Sequence, residues 1–307
     1  MRKSRTLTGI GIAAVALLAL TACQSGSPAD SGDSTDSGSS DSGSSSSANP
    51  WTVATDVTLE GSPTFDKMMA DGKVVIGVKE DQPGLGYFDA TTNERSGFDV
   101  DIARWIAASL GFDEADIEFK AIPSANREQE IVNGNIDYYV GTYSINDKRK
   151  EQIDFAGPYF ITGQGLLVAA DSDIKSEKDL NADTIVCSAT GSTPIQNIKA
   201  NFPEVETKEY DLYSLCVQDL IDGKVQAVTT DQAILIGYAA KDPDLIKVVG
   251  EPFSVEKYGI GLAKGDDALR EHINTLLTDG GDTWQAIFDK NLGESGITVE
   301  QPEVDNY

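Results

Sequence analysis

Residues 133–160 read NGNIDYYVGTYSINDKRKEQIDFAGPYF, and this stretch holds the most informative pattern in the chain. The run at 136–143 is typical of a strand, and hydroxyl and cationic side chains follow it directly. Lys148, Arg149 and Lys150 are consecutive, so about 100° separates each from the next around a helix and they cannot form one patch. The run is therefore either a solvated helix face or a face with one inward cation that binds an anion.

The sequence before this stretch alternates strand and helix patterns. The runs at 73–79 and 117–122 are β-branched and apolar, and turn residues bound the first of them. Ser124 is expected to cap the helix that leads into the strand at 136–143. Such alternation predicts a mainly parallel sheet with helices on both faces. Between the first two runs, apolar residues at helical spacing predict a helix that ends at Gly111, and these residues are Phe98, Ile102, Trp105, Ile106 and Leu110.

The same alternation returns after residue 163. About 250 residues divide into two α/β units more readily than they fill one, given the usual size of a domain. In open α/β sheets, ligands bind beyond the carboxyl ends of the strands. Strands are predicted at 165–169, 184–188, 226–230 and 258–263, and helices after 190, at 212–221, at 232–240, around 269–277 and around 284–288.

Residues 1–22 have the pattern of a secretory signal. Basic residues precede an apolar run at 10–20, and the tripeptide at 20–22 stands before Cys23 as in a lipobox. The alternative is a short membrane anchor, although the run is shorter than the roughly 20 residues that span a bilayer. Residues 23–56 are expected to be a lipidated cysteine and a flexible linker rich in Ser, Gly and Asp. We therefore expect a protein anchored by lipid to the outer face of the cell membrane.

The composition argues against several classes of function. The chain has 50 acidic and 24 basic residues, a formal charge of −26. Such a chain is repelled by nucleic acid phosphates. With one histidine, His272, and no clustered cysteines, nothing supports a metal site, a cofactor or a Ser-His or Cys-His catalytic centre. Apart from Cys23, the chain has two cysteines, Cys187 and Cys216. In an oxidising compartment a disulfide between them is favoured over two free thiols.

Charged and hydroxyl side chains follow several of the predicted strands. Lys79 follows the first strand, Ser124–Arg127 the second and Thr142–Arg149 the third, while Thr190–Thr193 and Asp231 follow strands of the second unit. Because ligands bind beyond the carboxyl ends of the strands, we expect these groups to converge. Three cations, one carboxylate and several hydroxyls suit a small zwitterion that carries an additional acid group.

Each candidate also has a structural alternative. Lys79 could be a solvated strand end. Arg127 lies in the first turn of a helix, where the dipole disfavours a cation, and could pair with Glu128 or Glu130. The turn ATGSTP at 189–194 could be a plain helix cap instead of an anion-binding helix start. Asp231 could likewise cap the helix that follows it.

Three segments together resemble the polar amino-acid-binding subunits of ABC uptake systems, the extracellular solute-binding proteins of family 3. They are SGFDVDIA at 96–103, the stretch at 133–160 and DGKVQAVTTDQA at 222–233. The resemblance covers residues 57 to about 293. Within the family, GVKEDQPG at 77–84 and SANRE at 124–128 are most similar to the glutamate- and aspartate-binding lipoproteins.

This resemblance implies an α/β fold of two lobes, the type II periplasmic-binding-protein fold, with a ligand cleft between the lobes. It places lobe 1 at 57–163 and 257–300, lobe 2 at 164–256 and a C-terminal tail at 301–307. It also implies a protein that is not an enzyme, binds L-glutamate or L-aspartate, acts as a monomer and delivers its ligand to membrane permease subunits. The alternatives are a dehydratase or lyase on the same fold and an amino-acid-sensing lipoprotein.

The resemblance also assigns roles to individual residues. Arg149 corresponds to the clamp on the ligand α-carboxylate, and Asp231 to the partner of the α-ammonium group. The family's aromatic residue after the first strand is missing, since this chain has Pro83-Gly84-Leu85-Gly86 there. The remaining correspondences are Thr142 and Ser144 for the turn before the clamp, Ser192 and Thr193 for donors of the second lobe, Lys79 and Arg127 for the ligand side-chain carboxylate, and Tyr213 for a further contact.

Overall fold

The computed structural model describes residues 49–307, so the expectations for the signal, for Cys23 and for most of the linker lie outside the described residues. The strands are β1 (Val74–Val78), β2 (Asp81–Gln82), β3 (Gly86–Asp89), β4 (Glu94–Ser96), β5 (Ile117–Ala121), β6 (Tyr138–Tyr139), β7 (Asp154–Thr162), β8 (Gln164–Ala169), β9 (Ile185–Ala189), β10 (Glu206–Tyr210), β11 (Ala227–Asp231), β12 (Ile246–Val249) and β13 (Glu256–Leu262). The helices are α1 (Pro63–Asp71), α2 (Phe98–Ser109), α3 (Arg127–Val132), α4 (Asp147–Lys150), α5 (Thr193–Asn201), α6 (Tyr213–Ile221), α7 (Gln232–Lys241), α8 (Asp267–Asp279) and α9 (Gly281–Leu292).

The first lobe is built on a mixed five-stranded sheet with the order β5-β1-β6-β13-β7. β1 pairs in parallel with β5 and β6, whereas β13 runs antiparallel to β6 and β7. All five residues of β1 are buried, which explains its unbroken apolar sequence. A small antiparallel sheet of β2, β3 and β4 follows β1 and precedes α2.

The second lobe is built on a sheet of the same design, with the order β10-β9-β11-β8-β12. β9 pairs in parallel with β10 and β11, and β8 runs antiparallel to β11 and β12. Each sheet is therefore parallel on one side and antiparallel on the other. The antiparallel side arises where the chain enters or leaves the lobe.

Two neighbouring segments connect the sheets. The chain passes from β7 to β8 across Gly163 and returns between β12 and β13. The segments pack closely, because a Cβ at Gly163 would lie 2.4 Å from the carbonyl oxygen of Ser254. The Ser254 hydroxyl accepts a hydrogen bond from the Gln164 backbone N–H at 3.0 Å. Two adjacent strand connections of this kind form a hinge.

The C-terminal helices return to the first lobe. The Trp284 indole donates to the carbonyl oxygen of Tyr159 on β7 at 2.8 Å. Its ring lies 5.6 Å from that of Phe98 at the start of α2 and 5.3 Å from that of Phe288. These aromatic side chains pack α9 against α2 and β7. The C-terminal helix therefore belongs to the same lobe as the N-terminal strands and helices.

Two local expectations are wrong. Ser124 does not cap a helix, because it opens a 3-10 turn (Ser124–Asn126) and its hydroxyl instead accepts a hydrogen bond from Lys79 at 2.7 Å. The strand expected at 136–143 is only two residues long, because the chain leaves the sheet at Thr142, which has φ 47°. The Asp99 carboxylate holds that turn by accepting from the Thr142 N–H at 2.9 Å.

Both ends of the described chain contact the body. Trp51 is half-buried against the core and the Ala54 N–H donates to the Ala108 carbonyl oxygen at 2.8 Å, so the flexible linker expected at 23–56 does not extend over its last residues. At the other end, the Asp305 N–H donates to the Gly157 carbonyl oxygen at 2.9 Å. None of the helices among residues 49–307 has the length and hydrophobicity that a membrane crossing requires.

Candidate ligand-binding site between the two lobes

The nine candidate residues come from the ends of strands and the starts of helices. Eight of them are buried and Thr193 is half-buried. The hinge topology places these chain segments on facing lobes, so one lobe supplies three cations and the other supplies a carboxylate. Lobe 1 contributes Lys79, Arg127, Thr142, Ser144 and Arg149, and lobe 2 contributes Ser192, Thr193, Tyr213 and Asp231.

Lys79 is a buried cation directly after β1. Its side chain is 3% exposed, and its ammonium group donates to the Ser124 hydroxyl at 2.7 Å. No carboxylate lies within 4.0 Å of it among residues 49–307. Burial, and then the nearby charge of Arg127, lower the pKa of Lys79 to about 7. The alternative of a solvated strand end is wrong.

Arg127, the first residue of α3, is also buried without an acidic partner. Its Nε donates to the Ser124 carbonyl oxygen at 3.0 Å, and its Cζ lies 4.2 Å from the centre of the Tyr143 ring. The expected alternative, an ion pair with Glu128 or Glu130, does not form in the part of the chain that the structure describes. Buried charges are normally paired, so Arg127 and Lys79 mark a place that suits an anion.

Arg149 points inward from α4 while its neighbour Lys148 is exposed, which confirms that the basic run does not act as one patch. Its Nη1 donates to the Ser144 carbonyl oxygen at 2.6 Å and to the Thr193 hydroxyl of lobe 2 at 3.3 Å. Its Nε pairs with Glu128 at 3.0 Å, a contact that the sequence did not predict. Burial, and then the charge of Arg127, lower the pKa of Arg149.

Asp231 faces these cations from the end of β11. It stands at the N-cap position of α7, yet its side chain makes no capping bond, so the capping alternative is wrong. One carboxylate oxygen accepts from the Tyr258 hydroxyl at 2.7 Å, and the other has no hydrogen-bond partner among the described residues. Burial, and then the negative charge of Glu256, raise the pKa of Asp231. A cationic ligand group would satisfy the second oxygen.

The turn before α5 approaches lobe 1 closely. A Cβ at Gly191 would lie 2.7 Å from the Cα of Ala125, and Gly191 has φ 77°. Ser192 caps α5, because its hydroxyl accepts from the Ile195 N–H at 3.3 Å. The alternative that the turn at 189–194 caps a helix is therefore correct for Ser192. Thr193 directs its hydroxyl to Arg149 across the cleft.

Two further residues carry buried hydroxyls that have no hydrogen-bond partner within residues 49–307. They are Tyr143 and Thr230, which neighbour predicted site residues in sequence but were not proposed for the site. The ring of Tyr143 also lies under both guanidinium groups, with Arg149 Cζ 4.8 Å from its centre. Tyr143 thus packs an aromatic ring against the two arginine side chains. Its position between the predicted site residues Thr142 and Ser144 is the sequence signal that could have identified Tyr143.

A cavity of 480 Å³ opens at the rim between the lobes. Its lining includes Ser124, Glu128 and Arg149 from lobe 1 and Gly191 and Thr193 from lobe 2. Of the nine candidate residues, Arg149 and Thr193 line this cavity and the other seven do not. The chemistry of the buried cations and of the unpaired carboxylate oxygen suits a small zwitterion with a further acid group.

This fold and site define a class: a two-lobed solute-binding protein with the type II strand arrangement, in which the ligand cleft lies between the lobes. The chain belongs to the bacterial extracellular solute-binding proteins, family 3, whose family model matches residues 74–294. The resemblance seen in the sequence is therefore confirmed.

Several known proteins are similar over most of the chain. The glutamate-binding protein GluB of Corynebacterium glutamicum is 43% identical over 255 residues, covering 78% of this chain and 85% of that one. A glutamine-binding protein of Geobacillus stearothermophilus is 42% identical over 207 residues, covering 67% and 79%. The crystal structure of a cysteine-binding protein from Campylobacter jejuni matches with a TM-score of 0.72 at 28% identity, covering 78% and 98%.

Proposed function

We propose that this protein captures L-glutamate or L-aspartate in the cleft between its lobes and delivers it to the permease of an ABC transporter. It acts as a monomer, held by a lipid on Cys23 at the outer face of the cell membrane, and it catalyses no reaction. The similarity to proteins named for glutamate and glutamine binding supports an amino acid of this size.

One observation carries the choice of an acidic ligand. Lys79 and Arg127 are both buried, and neither has a carboxylate within 4.0 Å in the described part of the chain. A neutral amide would leave this charge uncompensated, whereas a side-chain carboxylate would compensate it. Glutamate is therefore a better ligand than glutamine.

The remaining groups fit the rest of an amino acid. Arg149, with the turn of Thr142 and Ser144, is placed to bind the α-carboxylate, and Asp231 to bind the α-ammonium group. Ser192, Thr193 and Tyr213 supply donors or contacts from lobe 2. Because the ligand would contact both lobes, its binding favours the closed arrangement, and the closed form is the one that would dock on the permease.

Isothermal titration calorimetry with L-glutamate, L-aspartate and L-glutamine tests the ligand. We expect the wild type to bind glutamate more tightly than glutamine. Arg127→Met should weaken glutamate binding by about two to three decades, because it leaves a buried carboxylate short of a partner. The same variant should weaken glutamine binding far less.

Lys148→Met is the matched control, since it removes one exposed positive charge next to Arg149. It should leave glutamate affinity within about twofold of the wild type. A wild type that does not bind glutamate, or an Arg127→Met variant that weakens both ligands equally, would contradict the proposal.

A further inference from the structure

Helix α6 is capped by a residue of the opposite lobe. Leu212 stands at its N-cap position and offers no side-chain acceptor. Instead, Asp81 of lobe 1 accepts a hydrogen bond from the Ser214 N–H, the second residue of the helix, at 3.0 Å. An N-cap side chain normally makes this bond within its own chain segment, and the helix dipole additionally favours a negative charge at the N-terminus.

The same aspartate also contacts a second helix of lobe 2. The Tyr238 hydroxyl, on α7, donates to the Asp81 carboxylate at 3.2 Å and to the Asp81 carbonyl oxygen. Asp81 is 9% exposed and Tyr238 is 6% exposed. Nearby, Gly237 approaches Pro83 so closely that a Cβ would lie 2.3 Å from the Pro83 carbonyl oxygen. This contact is therefore a tight, buried junction between the lobes.

These contacts depend on how the lobes are arranged. Asp81 belongs to the segment after β1, and Ser214 and Tyr238 belong to lobe 2, which is joined to lobe 1 by the connections near Gly163 and Ser254. Opening about that hinge would leave the start of α6 without its acceptor. The first N–H groups of a helix require such partners, so the bond favours the closed form.

We propose that Asp81 is a positioning residue that latches the lobes together and sets glutamate affinity through closure, without contacting the ligand. The inference rests on the proposed function, because it describes the regulation of that same site. The latch should slow ligand release more than it alters capture, since its bonds break when the cleft opens. It should not discriminate between ligands.

A double-mutant cycle tests the latch. Asp81→Ala and Tyr238→Phe should each weaken glutamate binding, Asp81→Ala by about tenfold or more, because a hydrogen bond to a charged group contributes one to two decades. The double variant should lose less than the sum of the two single losses, because each single change removes the same bond between Tyr238 and the Asp81 carboxylate, while the bond to the residue-81 carbonyl oxygen is lost only with Tyr238→Phe. The ratio of glutamate to glutamine affinity should stay at its wild-type value in Tyr238→Phe, which keeps the Asp81 charge that raises the pKa of Lys79.

Two further variants distinguish loss of the Asp81 hydrogen bonds from a general effect of removing a negative charge in this segment. Glu80→Ala removes the adjacent negative charge, which makes no side-chain hydrogen bond in the described structure, and should leave glutamate affinity within about twofold of the wild type. Asp81→Asn retains an acceptor for the Ser214 N–H and should recover part of the affinity that Asp81→Ala loses. Equal affinity of Asp81→Ala and the wild type, or a changed ligand preference in Tyr238→Phe, would overturn the inference.

The lobe arrangement can be measured without ligand. Spin labels at Val132→Cys and Leu245→Cys, both exposed and on different lobes, report the distance between lobes in protein that carries Cys23→Ala. Asp81→Ala should shift the distance distribution towards longer distances, and Glu80→Ala should not. Unchanged distances would overturn the latch even if glutamate binds, whereas failure of the wild type to bind glutamate would refute only the proposed ligand.

Discussion

The buried cations were predictable as residue types, but their partners were not. Lys79, Arg127 and Arg149 stand out in an acidic chain because each follows a predicted strand. The sequence offered Glu128 as a partner for Arg127, yet in the structure Glu128 pairs with Arg149. Residues 21 positions apart and residues one position apart are equally plausible partners until the helices are placed.

The pKa values of Lys79 and Asp231 predict how binding depends on pH. Burial lowers the pKa of Lys79 to about 7, so its charge is present below that pH and is lost above it. Burial raises the pKa of Asp231, so its charge is present only above that raised value. Since glutamate requires both charged forms, its affinity should be highest near neutral pH and should fall on either side, by up to about tenfold per pH unit.

Calorimetry between about pH 5.5 and 8.5 checks this dependence. Lys79→Met should abolish the fall on the alkaline side and leave the fall on the acid side. Glutamine, which has no side-chain charge, should show mainly the acid fall in the wild type. A glutamate affinity that does not change across this range would show that these two groups do not bind the ligand.

At the scale of elements, the disulfide fixes the helix that carries Tyr213. Cys187 on β9 and Cys216 on α6 are bonded, with 29 residues of sequence separation and Cα atoms 5.4 Å apart. The disulfide that the sequence favoured over two free thiols is present in the structure. The bond connects the first turn of α6, whose Ser214 N–H donates to Asp81, to β9, which has a parallel neighbour on each side in the second sheet.

Removing this bond should lower the free energy of unfolding. The Cys187→Ala, Cys216→Ala double variant should lose about 3.6 kcal/mol in the loop-entropy account. Urea denaturation of both proteins under oxidising conditions measures the difference. The reduced wild type is the control and should lose a similar amount; equal stability of the oxidised wild type and the double variant would show that the bond does not form.

Element boundaries were predicted unevenly, and the reason is local. The helix that ends at Gly111 and the strand at 185–189 have strong apolar patterns, and the structure places them close to where they were expected. β6 is shorter than its apolar pattern because Thr142 turns out of the sheet to meet Asp99. Ser124 does not cap a helix because its hydroxyl accepts a hydrogen bond from Lys79, which lies 45 residues earlier in the sequence. Both deviations occur at the candidate site, where contacts between elements override local preference.

At the scale of the whole molecule, the proposed anchor determines where the protein works. In cells that process lipoproteins, the wild type should fractionate with membranes, and Cys23→Ala should be recovered in the surrounding medium, because the rest of its leader still directs export. Immunoblots of the two fractions measure this. Cys23→Ala should bind glutamate as the wild type does, and a wild type recovered in the medium instead of the membrane fraction would contradict lipid anchoring.

The sequence by itself determined the family, the α/β class and the set of candidate site residues, and its resemblance to the family selected Arg149 as the inward cation of the basic run. Those features depend on residue type and local spacing, which are present in the chain before it folds. Only the tertiary structure decided that Lys79 and Arg127 lack carboxylate partners, that Asp231 keeps an unpaired oxygen and that Asp81 caps α6 from the other lobe. Each of these depends on which distant groups the fold brings within hydrogen-bonding distance.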